Sequence, residues 1–339
     1  MQPVVERAAV LGAGSWGTAL AIHLATAGHV VSLWGRDRGL IGQLAGTRVN
    51  QAYLPGIPLP DTVHVTASLD EALDGARFVV VAVPSHGLRQ VVRDAAAHLP
   101  PGATLVSATK GIENGSLLRM SEVLAAECGA EVPVVVLSGP SFASEVARGT
   151  PTALVAASAD AAAVSLVQQR FRTHYLRLYG TDDVVGVEIG GAMKNVIAIA
   201  AGAVEALGLG HNAMAALITR GLAEMSRLAC AMGGRGETMA GLSGLGDLVL
   251  TCTAPLSRNH HVGLELGRGR PISDVLDGMR MVAEGVRTTE AVLELGRRHE
   301  VELPITAEVA AVLAGAKTPR EALGCLMLRP QRGEPERNN

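Results

Sequence analysis

An apolar run, RAAVLG (residues 7–12), passes directly into Gly12-x-Gly14-x-x-Gly17 and then into a helical pattern from Trp16 to Ala27 that Gly28 closes. A strand, a glycine turn and a helix in that order leave few folds open. The glycines permit a tight turn, close approach of backbone to a pyrophosphate, and close helix–strand packing. The helix N-terminus adds N–H groups and a positive dipole end. Gly12, Gly14 and Gly17 are therefore expected to cradle a dinucleotide. Arg7 followed by small and apolar residues also has the outline of a secretory signal. The strand–turn–helix reading prevails, because the same alternation continues well beyond it.

HVVSLW (29–34) reads as a second strand, and SLDE (68–71) as a capping box opening a short helix. FVVVAVP (78–84) is a continuous apolar run stopped by proline, as expected of a strand covered on both faces. A helix over about 87–98, TLVSATK (104–110), another helix and PVVVLSGP (133–140) carry the pattern on. TALVAAS (152–158) and YLRLYG (175–180) add strands at the far side. Such alternation predicts an α/β fold: a Rossmann-like, doubly wound, mostly parallel sheet. After about residue 181 the β-runs stop, and helical patterns cover 183–207, 213–232 and segments beyond 259 and 284. The expected domains are a dinucleotide-binding unit over 1–180 and an all-α, substrate-binding unit over 181–328. The polar tail RPQRGEPERNN (329–339) is expected to be disordered.

The chain carries 29 basic against 32 acidic residues, has no long basic run, and is only 2% aromatic. That balance argues against a nucleic-acid partner, which needs charge or stacking surface. Cys128, Cys230, Cys252 and Cys325 show no paired metal spacing and fit a reducing compartment, so no metal is expected. No uninterrupted apolar run approaches the roughly 20 residues that span a bilayer. A cytoplasmic protein without stable membrane insertion is expected.

The end of the second strand decides the cofactor. There the chain reads WGRDR, with Arg36 and Arg38 flanking Asp37. Arginine can pair with a ribose 2′-phosphate, whereas an acid would hold the 2′-hydroxyl. NADP(H) is favoured, and Asp37 keeps NAD(H) open.

Ligands of such sheets bind beyond the carboxyl ends of the strands. Three polar patches follow strands there: VPSH (83–86), ATKGIE (108–113) and LSGPSFASE (137–145). Lys110 is expected to point into the crevice, and Gly139 with Pro140 to shape a turn exposing N–H groups beside Ser141. In the helical half, Asp247 and Thr251 lie four apart, and Ser257, Arg258 and Asn259 offer a hydroxyl, a forked guanidinium and an amide in succession. That set suits a phosphate, the alternative being an N-cap serine followed by a surface arginine. Lys194 and Asn195 interrupt the buried-looking helix EIGGAMKNVIAIAAG (188–202). By helical spacing the lysine shares its face with Val187, Gly190, Gly191, Ile197, Ala198 and Ala201, none of which can neutralise an ammonium. Its partner is expected to be the ligand, with the small neighbours leaving room for substrate and nicotinamide.

GAGSWGTALA, ATKGIE, LSGPSFASEVA, GAMKNVIAIAAG, GHNAMAALITRGLAEM, GLSGLGDLVLTCT and SRNHHVG, in that order over about residues 7–325, resemble bacterial NAD(P)-dependent glycerol-3-phosphate dehydrogenase. The resemblance implies a cytoplasmic homodimer that reversibly reduces dihydroxyacetone phosphate to sn-glycerol 3-phosphate, supplying phospholipid backbones. It makes Lys194 the proton donor and acceptor, with Lys110 and Asp247 in the catalytic set. Lys110, Asn195, Asp247, Thr251, Ser257, Arg258 and Asn259 then line the substrate, with Gly139 and Ser141 nearby. Ser15, Trp16, Arg36, Lys110, Ala143, Arg258 and Glu284, together with Val282, are the implied cofactor contacts. One departure is His260–His261, where arginine is common, so auxiliary charge near the phosphate is expected to be weaker or pH-dependent.

Three rival readings stay open. His86 follows a strand in the crevice and is an alternative acid/base, although no carboxylate partner is evident for it. A β-hydroxyacid dehydrogenase also pairs a Rossmann domain with a helical one and a helix-borne lysine, but sets its asparagine one turn later, where this chain has Ala198. A catalytically silent NADP sensor would have no reason to keep Lys110, Lys194, Asp247 and Arg258 together.

Overall fold

Each apolar run of the first half becomes a strand of one sheet in the computed structural model, which describes residues 5–279, 281–331 and 333. β1 (Arg7–Leu11) turns through the glycine loop into α1 (Ser15–Thr26), followed by β2 (Val30–Trp34) and α2 (Arg38–Thr47). Next come β3 (Val63–Thr66), α3 (Leu69–Leu73), β4 (Phe78–Val81), α4 (Ser85–Ala96), β5 (Thr104–Ser107) and α5 (Met120–Cys128). β6 (Val134–Ser138), α6 (Ala143–Ala147), β7 (Thr152–Ala157), α7 (Ala161–Arg170) and β8 (Leu176–Thr181) complete the sheet.

The strand order is β3-β2-β1-β4-β5-β6-β7-β8, parallel throughout except where β7 runs antiparallel to β6. The order reverses between β1 and β4, which opens a crevice at their carboxyl ends. β4 and β5 are buried along their whole length, as Val- and Leu-rich strands covered by helices on both faces should be. The sequence pattern does not signal α2 or β3. α2 has three glycines and little apolar periodicity, while β3 is four residues long at the sheet edge. The capping box at Ser68 forms only by half. Ser68 Oγ accepts from Glu71 N at 3.3 Å, but the Glu71 carboxylate turns to Thr66 Oγ1 and, at 2.8 Å, His64 Nε2.

The rest is helical. α8 (Val184–Ala206) and α9 (Gly210–Ala231) are followed by α10 (Gly236–Met239), a wide π-helical turn at Leu242–Gly246, and α11 (Asp247–Thr253). α12 (Arg258–Gly267), α13 (Ile272–Asp277), α14 (Glu284–Arg298), α15 (Pro304–Leu313) and α16 (Pro319–Met327) wrap around them. α8 is the axle of this half. It has the length and mean hydropathy (1.5) to cross a bilayer, yet 83% of that stretch is buried among its neighbours. Asp183 caps its start, accepting from Gly186 N at 2.9 Å. At its crossing with α12 the two backbones touch. A Cβ on Gly202 would stand 1.9 Å from His260 O, and one on Gly263 would stand 1.8 Å from Ile199 O. Of the expected tail, residues 332 and 334–339 lie outside the described residues, whereas Arg329 donates to Glu302 at 3.0 Å.

Candidate active site

The glycine turn fits a dinucleotide. Gly12 has φ +121°, and a Cβ there would stand 2.7 Å from Ala82 O. Gly17 packs against Gly12 itself, its would-be Cβ 1.8 Å from Gly12 O, so the helix sits tight on the strand. Gly14, the N-cap of α1, supplies no side-chain cap, and a Cβ there would have nothing within 4 Å. The first N–H groups of α1, at Ser15 and Trp16, are thereby left for an anion. Arg36 and Arg38 are exposed beyond β2. Asp37 between them is the N-cap of α2, its Oδ1 accepting from Gly39 N at 2.8 Å and Leu40 N at 3.1 Å. An acid already engaged in capping is poorly placed to hold a ribose hydroxyl.

At the carboxyl end of β5, Lys110 crosses to the helical half. Its Nζ donates to Asp247 Oδ2 at 2.6 Å and to Gly139 O at 3.1 Å. Lys194 Nζ donates to the other oxygen, Asp247 Oδ1, at 2.5 Å, and to Thr251 Oγ1 at 2.9 Å. One carboxylate thus sits between two ammoniums, with Asp247 and Lys194 only 1% and 7% exposed. The expectation that the ligand alone partners Lys194 is overturned, whereas Asp247, which the resemblance places to hold a hydroxyl or the lysine, does hold the lysine. The apolar face of α8 offers none, but Asp247 arrives from α11, and the π-helical turn before it aims its carboxylate at α8. The turn at Gly139 also presents its carbonyl oxygen, which accepts from both Lys110 and, at 3.1 Å, Ser141 Oγ. Most of the small residues around Lys194 are packing rather than ligand space. A Cβ on Gly190 would meet Ser243 O at 2.6 Å, and Ala198 and Ala201 are fully buried. Gly191 does face the site, 3.6 Å from Lys110 Cγ by the same measure.

Burial lowers the Lys194 pKa from 10.5 to about 8; Asp247 opposes that shift and the Lys110 charge reinforces it. Burial works to raise the Asp247 carboxyl, but Lys110 and Lys194 together outweigh it and hold it below its ordinary value.

Ser257, Arg258 and Asn259 occupy the start of α12, where Ser257 is the N-cap and accepts from His260 N at 3.2 Å. Arg258 is half-buried and lies within the field of Glu284. Asn259 Nδ2 donates to Asn195 Oδ1 at 2.9 Å, and its Oδ1 accepts from Gly285 N at 2.9 Å. The two amides therefore tie α8, α12 and α14 together. A Cβ on Gly285 would meet Asn195 O at 2.6 Å and Asn259 Oδ1 at 2.9 Å. Gly285→Ala is expected to cost about 1–3 kcal/mol of stability by overpacking and to raise the substrate KM, as read by urea unfolding and initial rates.

Val282 and Ala143 are both half-buried: Val282 precedes α14 and Ala143 opens α6. Glu284 caps α4 across the domains, accepting from Ser85 Oγ at 2.6 Å and Ser85 N at 3.3 Å. Sequence reasoning misses that latch, since nothing in VPSH signals a carboxylate arriving from residue 284. The structure places the two histidine candidates as follows. His86 is exposed, and burial together with the charge of Arg287 lowers its pKa while Glu284 opposes; Glu284 bonds Ser85 instead. His260 points at Glu205, 3.2 Å away, three turns along α8 from Lys194 or about 16 Å. Burial lowers its pKa while Glu205 opposes. His261 is exposed.

The chain matches the family model of the NAD-dependent glycerol-3-phosphate dehydrogenase N-terminus over residues 7–164 and that of the C-terminus over 183–324. It is 53% identical to glycerol-3-phosphate dehydrogenase [NAD(P)+] of Geobacter sulfurreducens over 331 residues, 97% of this chain and 99% of the relative. The same enzyme of Koribacter versatilis is 51% identical over 334 residues, again 97% of this chain and 99% of the relative. The crystal structure of glycerol-3-phosphate dehydrogenase from Coxiella burnetii superposes with a TM-score of 0.92 at 40% identity, covering 96% of this chain and 99% of that one. With a dinucleotide cradle, a Lys–Asp–Lys centre and near-complete relatives in agreement, the chain belongs to the NAD-dependent glycerol-3-phosphate dehydrogenase family.

Proposed function

We propose that this enzyme reversibly reduces dihydroxyacetone phosphate to sn-glycerol 3-phosphate, with Lys194 as the proton donor and acceptor. The observation that carries this reading is the Lys194 ammonium, buried and held between Asp247 and Thr251 with its pKa drawn down to about 8. NAD(P)H, when bound, supplies the hydride to the ketone carbon. Lys194 stabilises the negative charge that develops on the carbonyl oxygen and delivers a proton to it. Asp247 and Thr251 hold the amine in place, while Lys110 adds a second positive charge to the centre. Arg258, with the amides of Asn195 and Asn259, grips the phosphate, and Ser257 holds the turn from which they project. Gly139 and Ser141 form the wall beneath Lys110.

Residues 1–180 form the cofactor domain in this reading and 181–328 the substrate domain. Gly12, Gly14, Ser15, Trp16 and Gly17 take the pyrophosphate. Arg36 and Arg38 take a 2′-phosphate, and Lys110, Ala143, Arg258, Val282 and Glu284 lie along the nicotinamide end. NADP(H) is the favoured cofactor and NAD(H) the second. The protein works in the cytoplasm as a homodimer and feeds glycerophospholipid synthesis.

The defining test follows NADPH absorbance with dihydroxyacetone phosphate. Oxidation there, and none with a semialdehyde acid, is expected; the reverse pattern would sink the assignment. The pH dependence has a definite sign. Oxidation of glycerol 3-phosphate needs the neutral amine, so its kcat/KM rises through a midpoint near 8, while reduction needs the ammonium and falls through the same midpoint. A flat profile between pH 7 and 9 would remove Lys194 from the role. For the cofactor, Arg36→Ala is expected to weaken NADPH by about 10–100-fold, the worth of a charged hydrogen bond, and NADH far less. Fluorescence titration of both nucleotides reads the difference.

A further inference from the structure

Lys194 is not the only charged side chain inside α8. Glu188, six residues earlier, has a side chain only 3% exposed, and its partners lie in the other half of the molecule. Its Oε1 accepts from Ser121 N at 2.8 Å, while Oε2 accepts from Ser121 Oγ at 2.6 Å and Arg119 Nη1 at 2.7 Å. A carboxylate from the helical half thus caps the first turn of α5, where a negative charge is favoured.

Arg119 is also the far end of the excursion that begins at Lys110. Ile112 and Arg119 close it with an antiparallel bridge, and Glu113 N donates to Leu118 O at 3.0 Å within it. Leu117 sits at φ +62°, a left-handed conformation that a leucine adopts only when its surroundings impose it. Arg89 of α4 grips the Glu113 carboxylate with two bonds of 2.8 and 2.6 Å, so the excursion is rigid on its outer side too. Glu188 therefore fastens the helix that carries Lys194 to the loop that carries Lys110.

We propose that Glu188, through Arg119 and Ser121, is a positioning residue that sets the spacing of Lys110 and Lys194 about Asp247. The inference rests on Lys194 as the proton carrier. Among the described residues three titratable groups face the Lys194 amine, beside the Thr251 hydroxyl: Asp247 and the Cys252 thiol on α11, and Lys110 beyond β5. The groups facing Glu188 are Arg119 and Glu122 of the α5 start, with Ser121. Loosening the clamp lets Lys110 withdraw, which relieves repulsion on Lys194 and raises its pKa.

Glu188→Gln keeps the shape of the side chain and removes its charge. It is expected to lower kcat by about 10²-fold, the effect of a displacement near 1 Å at a reacting centre, with the NADPH KM unchanged. The pH midpoint of glycerol 3-phosphate oxidation should move upward. Ser121→Ala, which removes a single hydroxyl, should move the midpoint in the same direction by less, and it decides the matter if Glu188→Gln fails to fold. Lower resistance to urea with an unmoved midpoint would overturn the proposal, as would a loss of kcat with an unmoved midpoint. If Lys194→Ala retains turnover, the proton-carrier reading and this inference both fall. If Lys194→Ala is inactive and the midpoints of the clamp variants stay put, this inference alone falls.

Discussion

Lys194→Ala is expected to lower kcat by roughly 10²–10⁴-fold, the range in which a positioned acid–base group contributes. The variant should still fold and bind NADPH. Asp247 keeps Lys110 as a partner at 2.6 Å, so the substitution leaves no buried carboxylate without a counter-charge. Truncating the stem leaves a small buried cavity of modest cost, and the urea curve shows how much of the loss of turnover comes from it. Single-turnover NADPH oxidation, cofactor titration and a urea curve on one preparation separate these effects. Turnover within a few-fold of the parent would end the proton-carrier reading.

Asp247→Asn should be the more damaging change to the molecule as a whole. It leaves two ammoniums, one 18% and one 9% exposed at the side chain, facing each other with no anion between them. Breaking a buried pair in this way costs about 3–5 kcal/mol. Lys110 has solvent to turn towards, but Lys194 does not, so Lys194 sheds its proton instead. Its midpoint should fall below 8 in both reaction directions. The stability-versus-pH curves of parent and variant should differ in a related way. In the parent the Asp247 carboxyl titrates below its ordinary value. Its contribution is therefore present above the unfolded-state pKa and lost as pH falls through the folded one. Lys194, lowered from 10.5 to about 8, gives the same slope in an alkaline window, but by relief of a cost. The cost of burying its charge is fully present below pH 8 and disappears as pH rises towards 10.5, so that part of the stability grows with alkalinity. In the variant the acidic loss due to Asp247 should vanish. An unchanged midpoint would show that Asp247 does not hold the amine.

How much of this is legible in the residues depends on the range of the interaction. Strands such as Phe78–Val81 and the glycine turn at Gly12–Gly17 announce themselves locally, because burial on two faces and a forced φ both leave a short signature. β3 and α2 leave none, being an edge strand with His64 turned outward and a helix with weak periodicity. The site residues split along the same line. Lys194 stands out as a charge in an apolar helix, but its partner lies 53 positions away, and no spacing rule connects them. Only the fold shows that a π-helical turn ends where Asp247 begins. The Asn195–Asn259–Gly285 tie and the Ser85–Glu284 latch are hidden for the same reason, spanning 64, 26 and 199 positions. Ser257 reads in sequence either as a hydroxyl offered to a phosphate or as an N-cap, and its Oγ begins the helix.

α8 carries one further consequence. Twenty-three residues of high hydropathy serve as the core of this half only while α9, α11, α12 and α14 are wrapped around them. Undocked, the same segment would present itself as an adhesive surface, apt to be captured by lipid, by chaperones or by another undocked copy before it could re-wrap. The operational lifetime of the protein on heating should then be a matter of how often that wrapping opens, making inactivation a rate and its apparent midpoint dependent on scan speed.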